Sequence, residues 1–196
     1  MENEAGSEGS DIYVQDALPP LIVENSQFRV NNQAALIVNR RSSFQISNSS
    51  FTGEAGLVRR EPVLRCTDCR DNRLSFNTFQ SLSVSSTVEA VFDGTWLGEM
   101  PSFTIEGNSF KDIEASNSGG ALFVKWPGRL TVKRNTFQNI RAERAGSQGG
   151  AIYCSVVTPE AKIKIQDNLF RACQAEKGGA ILWDHYEPLL LNNEFA

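Results

Sequence analysis

The sequence predicts an all-β protein, namely a single-stranded right-handed parallel β-helix, or solenoid, of about seven coils. Three observations predict this fold. A Gly-Gly-Ala motif recurs at intervals of 30 and 29 residues, an Asn-x-Phe motif precedes each copy, and aliphatic residues keep a constant distance from each Phe. Self-similarity at periods of about 20–50 residues is typical of arrays in which each unit stacks on its neighbour.

The first strand of each coil is identified by aligning the units on their Phe. The residue five positions before the Phe is aliphatic in all seven units, and the residue two positions earlier is apolar in all but one, where Asn72 takes its place. A spacing of two places both side chains on one face of a strand. An Asn lies two or three positions before every Phe and predicts a turn. The seven Phe anchors are Phe28, Phe51, Phe79, Phe110, Phe137, Phe170 and Phe195, and the clearest turn residues are Asn108, Asn135 and Asn168.

The second repeated element is a turn of small residues that leads into another strand. Its glycine pairs suit positions that need a positive φ or a close approach between backbones. An aliphatic residue follows the Ala of each copy, and weaker copies are predicted at Ala35-Leu36, Gly56-Leu57 and Ala90-Val91. The right hand follows from the strong preference of parallel crossover connections. The three clear pairs are Gly119-Gly120, Gly149-Gly150 and Gly178-Gly179.

Two regions are predicted along the chain. Residues 1–17 are rich in Glu, Gly and Ser and lack periodicity, which predicts a flexible acidic leader. Residues 18–196 are predicted to form the β-helix. Because the last four residues read as the opening of another coil, we expect a fragment of a longer solenoid, with further β-helix coils beyond the C-terminus as its partner.

The composition argues against several classes of function. The formal net charge of −4 disfavours nucleic-acid binding, because that needs Lys and Arg to neutralise phosphates. No apolar run reaches the roughly 18–20 residues of a membrane span, so no transmembrane segment is expected in this chain. The N-terminus has no signal-peptide pattern. A piece of a longer protein would carry its signal elsewhere, and we expect an extracellular or cell-surface location.

The best catalytic candidates are Asp184 and His185, which follow the last Gly-Gly-Ala strand and could act as a general acid–base pair. The alternative is an exposed histidine without a catalytic role, since the chain has one His and no paired-Asp signature. Cys66-x-x-Cys69 could be a disulfide, a redox pair or half of a zinc site, but a zinc site needs a second Cys/His pair. We therefore expect neither a metal nor another cofactor.

An aromatic row is one candidate ligand-binding site. Trp96, Trp126 and Tyr186 lie five or six residues after the Ala of their units. On one side of the solenoid they would offer sugar rings a flat stacking surface. The alternative is that these rings cover the core beneath the loops.

An arginine-rich loop is the other candidate. Arg59, Arg60 and Arg65 lie between the second and third coils and could form an anion patch that binds acidic polysaccharides. Acidic residues are interspersed among them, so a solvated loop of mixed charge is the alternative.

The Asn-x-Phe and Gly-Gly-Ala-[Ile/Leu] repeats together resemble those of polymorphic outer-membrane proteins and related β-helical surface adhesins, and more broadly the pectin-lyase-like β-helices. The resemblance covers about residues 20–196 and is strongest from Phe103 onward. It implies the fold, whereas that superfamily includes lyases, hydrolases, adhesins and structural shafts. We expect a non-enzymatic structural or adhesive module with protein or polysaccharide partners. The alternatives are a polysaccharide lyase or hydrolase, and an assembly module of a large intracellular complex.

Overall fold

Three parallel sheets, here called A, B and C, build the protein. The computed structural model describes residues 12–30, 37–53, 61–92, 100–126, 128–156 and 158–196. Within these ranges each of seven coils contributes one strand to each sheet. The strands of sheet A are β1 (Ile12–Gln15), β4 (Ile37–Arg40), β7 (Leu64–Thr67), β10 (Val88–Val91), β13 (Leu122–Trp126), β16 (Ile152–Val156) and β19 (Ile181–Asp184).

The other two sheets follow sheet A in every coil. The strands of sheet B are β2 (Leu21–Glu24), β5 (Phe44–Ser47), β8 (Asp71–Ser75), β11 (Ser102–Glu106), β14 (Arg129–Lys133), β17 (Lys162–Gln166) and β20 (Leu189–Leu191). The strands of sheet C are β3 (Gln27–Val30), β6 (Ser50–Gly53), β9 (Thr78–Val84), β12 (Ser109–Ala115), β15 (Thr136–Ala142), β18 (Leu169–Gln174) and β21 (Glu194–Phe195). The prediction of an all-β parallel β-helix of about seven coils is therefore confirmed.

The core is a set of side-chain columns that run along the solenoid axis. All seven Phe anchors lie in register on sheet C, and each ring stacks on the next at a centroid distance of 4.8 to 5.1 Å. The aliphatic residues five positions earlier form a matching column on sheet B. Both columns are buried in coils two to six, whereas their last members, Leu190 and Phe195, are half exposed. The predicted alignment on Phe is confirmed.

The turn between sheets B and C has two positions with different tasks. Three residues before the Phe, the backbone has a φ of +49° to +64° in every coil. Two residues before the Phe, a side-chain amide ladder runs through coils three to seven. Each of the first four Asn residues in this ladder donates from its backbone N–H and from Nδ2 to Oδ1 of the next one. Its members are Asn77, Asn108, Asn135, Asn168 and Asn193.

The glycine pairs meet the predicted backbone requirements. Gly119, Gly149 and Gly178 have positive φ values of +65°, +65° and +60°. Gly120 permits a close approach between coils, because a Cβ there would lie 2.6 Å from Cγ2 of Ile140. Such a contact is shorter than carbon atoms tolerate.

One weaker copy of this motif was aligned wrongly. The register places Val88 opposite Leu122, whereas Val91 lies opposite Lys125 on the outer surface. Thr87 takes the place of the motif's Ala, and its hydroxyl donates to the Gly120 carbonyl. No glycine pair marks the turn before β10, so the sequence pattern points to Ala90, whereas the turn residue is Thr87. The copies at Ala35-Leu36 and Gly56-Leu57 lie wholly or partly outside the described residues.

The first sheet begins earlier than predicted. Strand β1 lies within residues 1–17 and pairs in parallel with β4. The predicted boundary at residue 18 therefore falls after the first strand. Four residues with one alternation of side chains are too short to stand out as a strand without the neighbouring coil.

Candidate functional site

The candidate site is the outer face of sheet A in coils five to seven. Aromatic and polar side chains lie there beside the predicted catalytic pair, Asp184 and His185. Successive residues of a strand point to opposite sides, so every second one faces outward. One outward row contains Phe123, Tyr153 and Leu182 in register. The parallel row contains Lys125, Ser155 and Asp184. These six residues are called the sheet A face.

An aromatic pair forms the centre of this face. The rings of Phe123 and Tyr153 stack at 5.1 Å with an interplanar angle of 18°. The ammonium group of Lys125 lies 5.7 Å from the Phe123 centroid, within range of a cation–π contact. Both rings are partly exposed. The corresponding outward positions of sheet B are polar or charged in coils five and six, namely Arg129, Thr131, Lys133, Lys162, Lys164 and Gln166, whereas coil seven has Leu189 and Leu191 there.

A cluster of polar groups lies beside the aromatic pair. Asp184 is opposite Ser155 in the sheet, and its Oδ1 is 3.3 Å from Nδ1 of His185. Burial raises the pKa of Tyr153, and the negative charge of Asp184 raises it further. A carboxylate, an imidazole and two hydroxyl groups can in principle move a proton.

The exposure of the predicted catalytic pair limits this chemistry. The side chains of Asp184 and His185 are 49% and 60% exposed. Water therefore screens their mutual interaction. His185 itself has a φ of +83°, which is unusual for a residue with a side chain. The sequence located this pair, but it missed Tyr153 and Ser155, which the alternation after the second Gly-Gly-Ala motif would have placed outward.

The predicted aromatic row is wrong at Trp126. That side chain is fully buried in the core, where its ring contacts those of Phe92 and Phe103. It occupies the last inward position of β13, on the same face as Leu122 and Val124, so it cannot stack on a sugar. Tyr186 is exposed, as the prediction required. Trp96 lies outside the described residues.

The predicted anion patch is largely neutralised where it can be described. The guanidinium group of Arg65 forms ion pairs with the carboxylates of Glu61 and Glu89. Both carboxylates compensate its charge, which leaves little attraction for an external anion. Arg59 and Arg60 lie outside the described residues.

The cysteines lie inside the solenoid. Cys66, Cys69 and Cys154 are buried, and all four thiols are free. Burial raises the pKa of Cys66 and Cys154, and raises that of Cys173 to about 11. The reactive thiolate form is therefore disfavoured. Across the described ranges, no group of three or more His, Cys, Asp or Glu side chains is arranged to hold a metal ion.

Comparison with protein families agrees with this architecture. Residues 5–195 match the family described as the right-handed beta helix region. The chain belongs to the right-handed β-helix family. The predicted hand of the solenoid is thereby confirmed. Neither the comparison with curated proteins nor that with solved structures gave a match.

The family membership concerns the architecture and not a particular chemistry, because one fold supports many functions. In the part of the chain that the structure describes, no helix has the length and apolar character needed to cross a membrane.

Proposed function

We propose that this right-handed β-helix is a non-enzymatic module of a surface or secreted protein, which presents the sheet A face to protein or glycan partners. The observation that carries the proposal is the outward row of Phe123, Tyr153 and Leu182. A solvated sheet face normally carries polar side chains. Aligned and partly exposed apolar side chains are typical of a surface that binds another molecule.

The columns beneath this face support a structural role. The Phe stack and the Asn ladder tie each coil to the next through contacts repeated along the axis. Groups held in this way keep fixed distances, and rigid surfaces lose little conformational entropy when they bind.

The resemblance to β-helical surface adhesins agrees with a structural or adhesive role and with an extracellular location.

A polysaccharide lyase or hydrolase is the second candidate. One observation favours it, namely the proximity of Tyr153, Ser155, Asp184 and His185 on a single face. A carboxylate and an imidazole at this distance could share the work of a general acid and base.

The two functions are separated by incubating the folded chain with polygalacturonate and with xylan. Release of reducing ends reports cleavage. Co-sedimentation of the protein with the insoluble form of each polysaccharide reports binding. The binding module predicts no cleavage by the wild type, and weaker binding by Tyr153→Ser than by a Gln138→Ser control on sheet C. Cleavage that His185→Ala abolishes, with the circular dichroism spectrum unchanged, would overturn the proposal in favour of the enzyme. Absence of both signals would leave proteins as the partners of the sheet A face.

A further inference from the structure

A groove runs across the turns between sheets B and C in coils one to three. It lies on a different part of the solenoid from the sheet A face. One of its rows occupies the positive-φ turn position, and the other occupies the first position of the sheet C strands. The first row is Asn25, Asn48 and Phe76, and the second is Gln27, Ser50 and Thr78.

Phe76 is the unusual member of the groove. At the same turn position the other coils have Asn, Gly, Arg or Asp, and a bulky aromatic residue rarely adopts a φ of +58°. Its side chain is 58% exposed, so burial in the core does not compensate for the unfavourable backbone. Strained residues that the fold does not require are typical of functional sites.

The neighbouring coil supports the exposed ring. A Cβ at Gly107, the equivalent turn residue of coil four, would lie 2.7 Å from Cδ1 and Cε1 of Phe76. The ring therefore rests on the glycine backbone, which only a residue without a side chain permits. The ring of Phe76 thus packs against the neighbouring coil at the end of the groove.

The other groove residues are polar and uncharged. The side chains of Asn25, Gln27, Asn48, Ser50 and Thr78 make no hydrogen bond within the described part of the chain. Amides and hydroxyls both donate and accept hydrogen bonds, as sugar hydroxyls do. None of the described residues that line the groove is charged, so none of them attracts an ionic ligand.

We propose that this groove binds a neutral oligosaccharide. Phe76 packs against the apolar face of one sugar ring, and the amides of Asn48 and Asn25, one and two coils away, bind hydroxyl groups of that sugar and of the next one along the oligosaccharide. The site lies apart from the sheet A face and goes beyond the function proposed above.

Titration of the full chain with cellohexaose and with maltohexaose tests the site, with dextran sulfate as the charged comparison. The side-chain amide resonances of Asn25, Gln27 and Asn48 report contact in ¹H–¹⁵N spectra. We expect one neutral hexasaccharide to shift these resonances and dextran sulfate to leave them unchanged. Binding by neither hexasaccharide, or a preference for dextran sulfate, would overturn the proposal.

Variants at Phe76 separate binding from folding. Phe76→Asn should weaken binding at least about tenfold while the thermal midpoint stays equal or rises, because Asn tolerates the left-handed turn. Phe76→Tyr should retain binding, since it keeps the ring. Tyr13→Asn, which removes an exposed aromatic ring from sheet A, is the matched control and should bind as the wild type does.

Two outcomes contradict the assignment of Phe76. Unchanged affinity of Phe76→Asn would remove the ring from the site, and a lower thermal midpoint of that variant would make its role structural. If Tyr13→Asn loses binding and Phe76→Asn does not, the sugar lies on sheet A and not in the groove. That result overturns the groove and leaves the proposed contact function standing.

Discussion

Replacing Asn135 with Ala would test whether the amide ladder holds the coils together. The Asn135 side chain accepts hydrogen bonds from the backbone N–H and Nδ2 of Asn108, at 2.8 and 3.0 Å. It donates to the carbonyls of Ile105 and Lys133, and to Oδ1 of Asn168. All five hydrogen bonds lie in or beside the buried turn between sheets B and C. The substitution removes every one of them without changing the backbone atoms.

The magnitude follows from the groups that lose partners. The buried N–H of Asn108 loses its acceptor, which costs about 1–3 kcal/mol, and the other bonds contribute about 0.5–1.5 kcal/mol each when they are partly replaced. These terms add up to about 3–9 kcal/mol. We expect the lower half, a loss of about 3–5 kcal/mol in the free energy of unfolding, because Nδ2 of Asn108 still donates to the carbonyls of Leu74 and Glu106 and Oδ1 of Asn168 keeps its bond from the backbone N–H of residue 135. For a chain of this size that corresponds to a fall of about 10 °C in the thermal midpoint.

Urea unfolding followed by circular dichroism and by tryptophan fluorescence, to which the buried Trp126 contributes, measures this change. Asn117→Ala is the matched control, because it deletes the same atoms from an exposed turn residue without a side-chain hydrogen bond in the described structure. If Asn135→Ala were within about 0.5 kcal/mol of that control, a typical effect of a surface substitution, the ladder would contribute nothing to stability.

Three further predictions concern the core and one buried charge. Ile140→Asp should destabilise the protein by more than about 3 kcal/mol, because Ile140 is fully buried and a carboxylate there has no partner. Equal thermal midpoints of Ile140→Asp and of the outward Gln138→Asp would refute the core position of Ile140. Asn72→Val should raise the free energy of unfolding by about 1–2 kcal/mol in urea titrations, since both polar atoms of the buried Asn72 side chain lack a hydrogen-bond partner in the described structure. A loss of stability would show that the Asn72 side chain has a hydrogen-bond partner after all. The pKa of Glu106 is lowered, chiefly by a hydrogen bond from Arg134. The ionised carboxylate therefore stabilises the fold fully above the ordinary carboxyl pKa near 4.5, and this stabilisation is lost as the pH falls below that value. Glu106→Gln should therefore show a smaller fall in thermal midpoint than the wild type on acidification below about pH 4.5, whereas Glu114→Gln, at an exposed site, should follow the wild type.

The repeated columns could be read from the sequence because they are encoded locally and many times. Each coil places its Phe five positions after an aliphatic residue, and stacking of like on like then follows from equal spacing. The same reasoning found Asn135 and Gly149, since the turns they occupy need a specific side chain or a positive φ. The sequence pattern did not distinguish the positive-φ position, three residues before the Phe, from the ladder position, two residues before it, because Asn occurs at both.

The sequence by itself therefore determined the fold, the core columns and the turns of this β-helix, through periodicity that every coil repeats. Only the tertiary structure decided which side chains share a surface. Trp126 lies in the core because the alternation of β13 continues from Leu122 through Val124 to this residue, and no sequence motif marks where the strand ends. Neighbours on the outer faces, such as Tyr153 beside Leu182 and Asp184, or Phe76 beside Asn48, come from different coils. Their proximity depends on how loops of unequal length align one coil with the next, and no local pattern records that alignment.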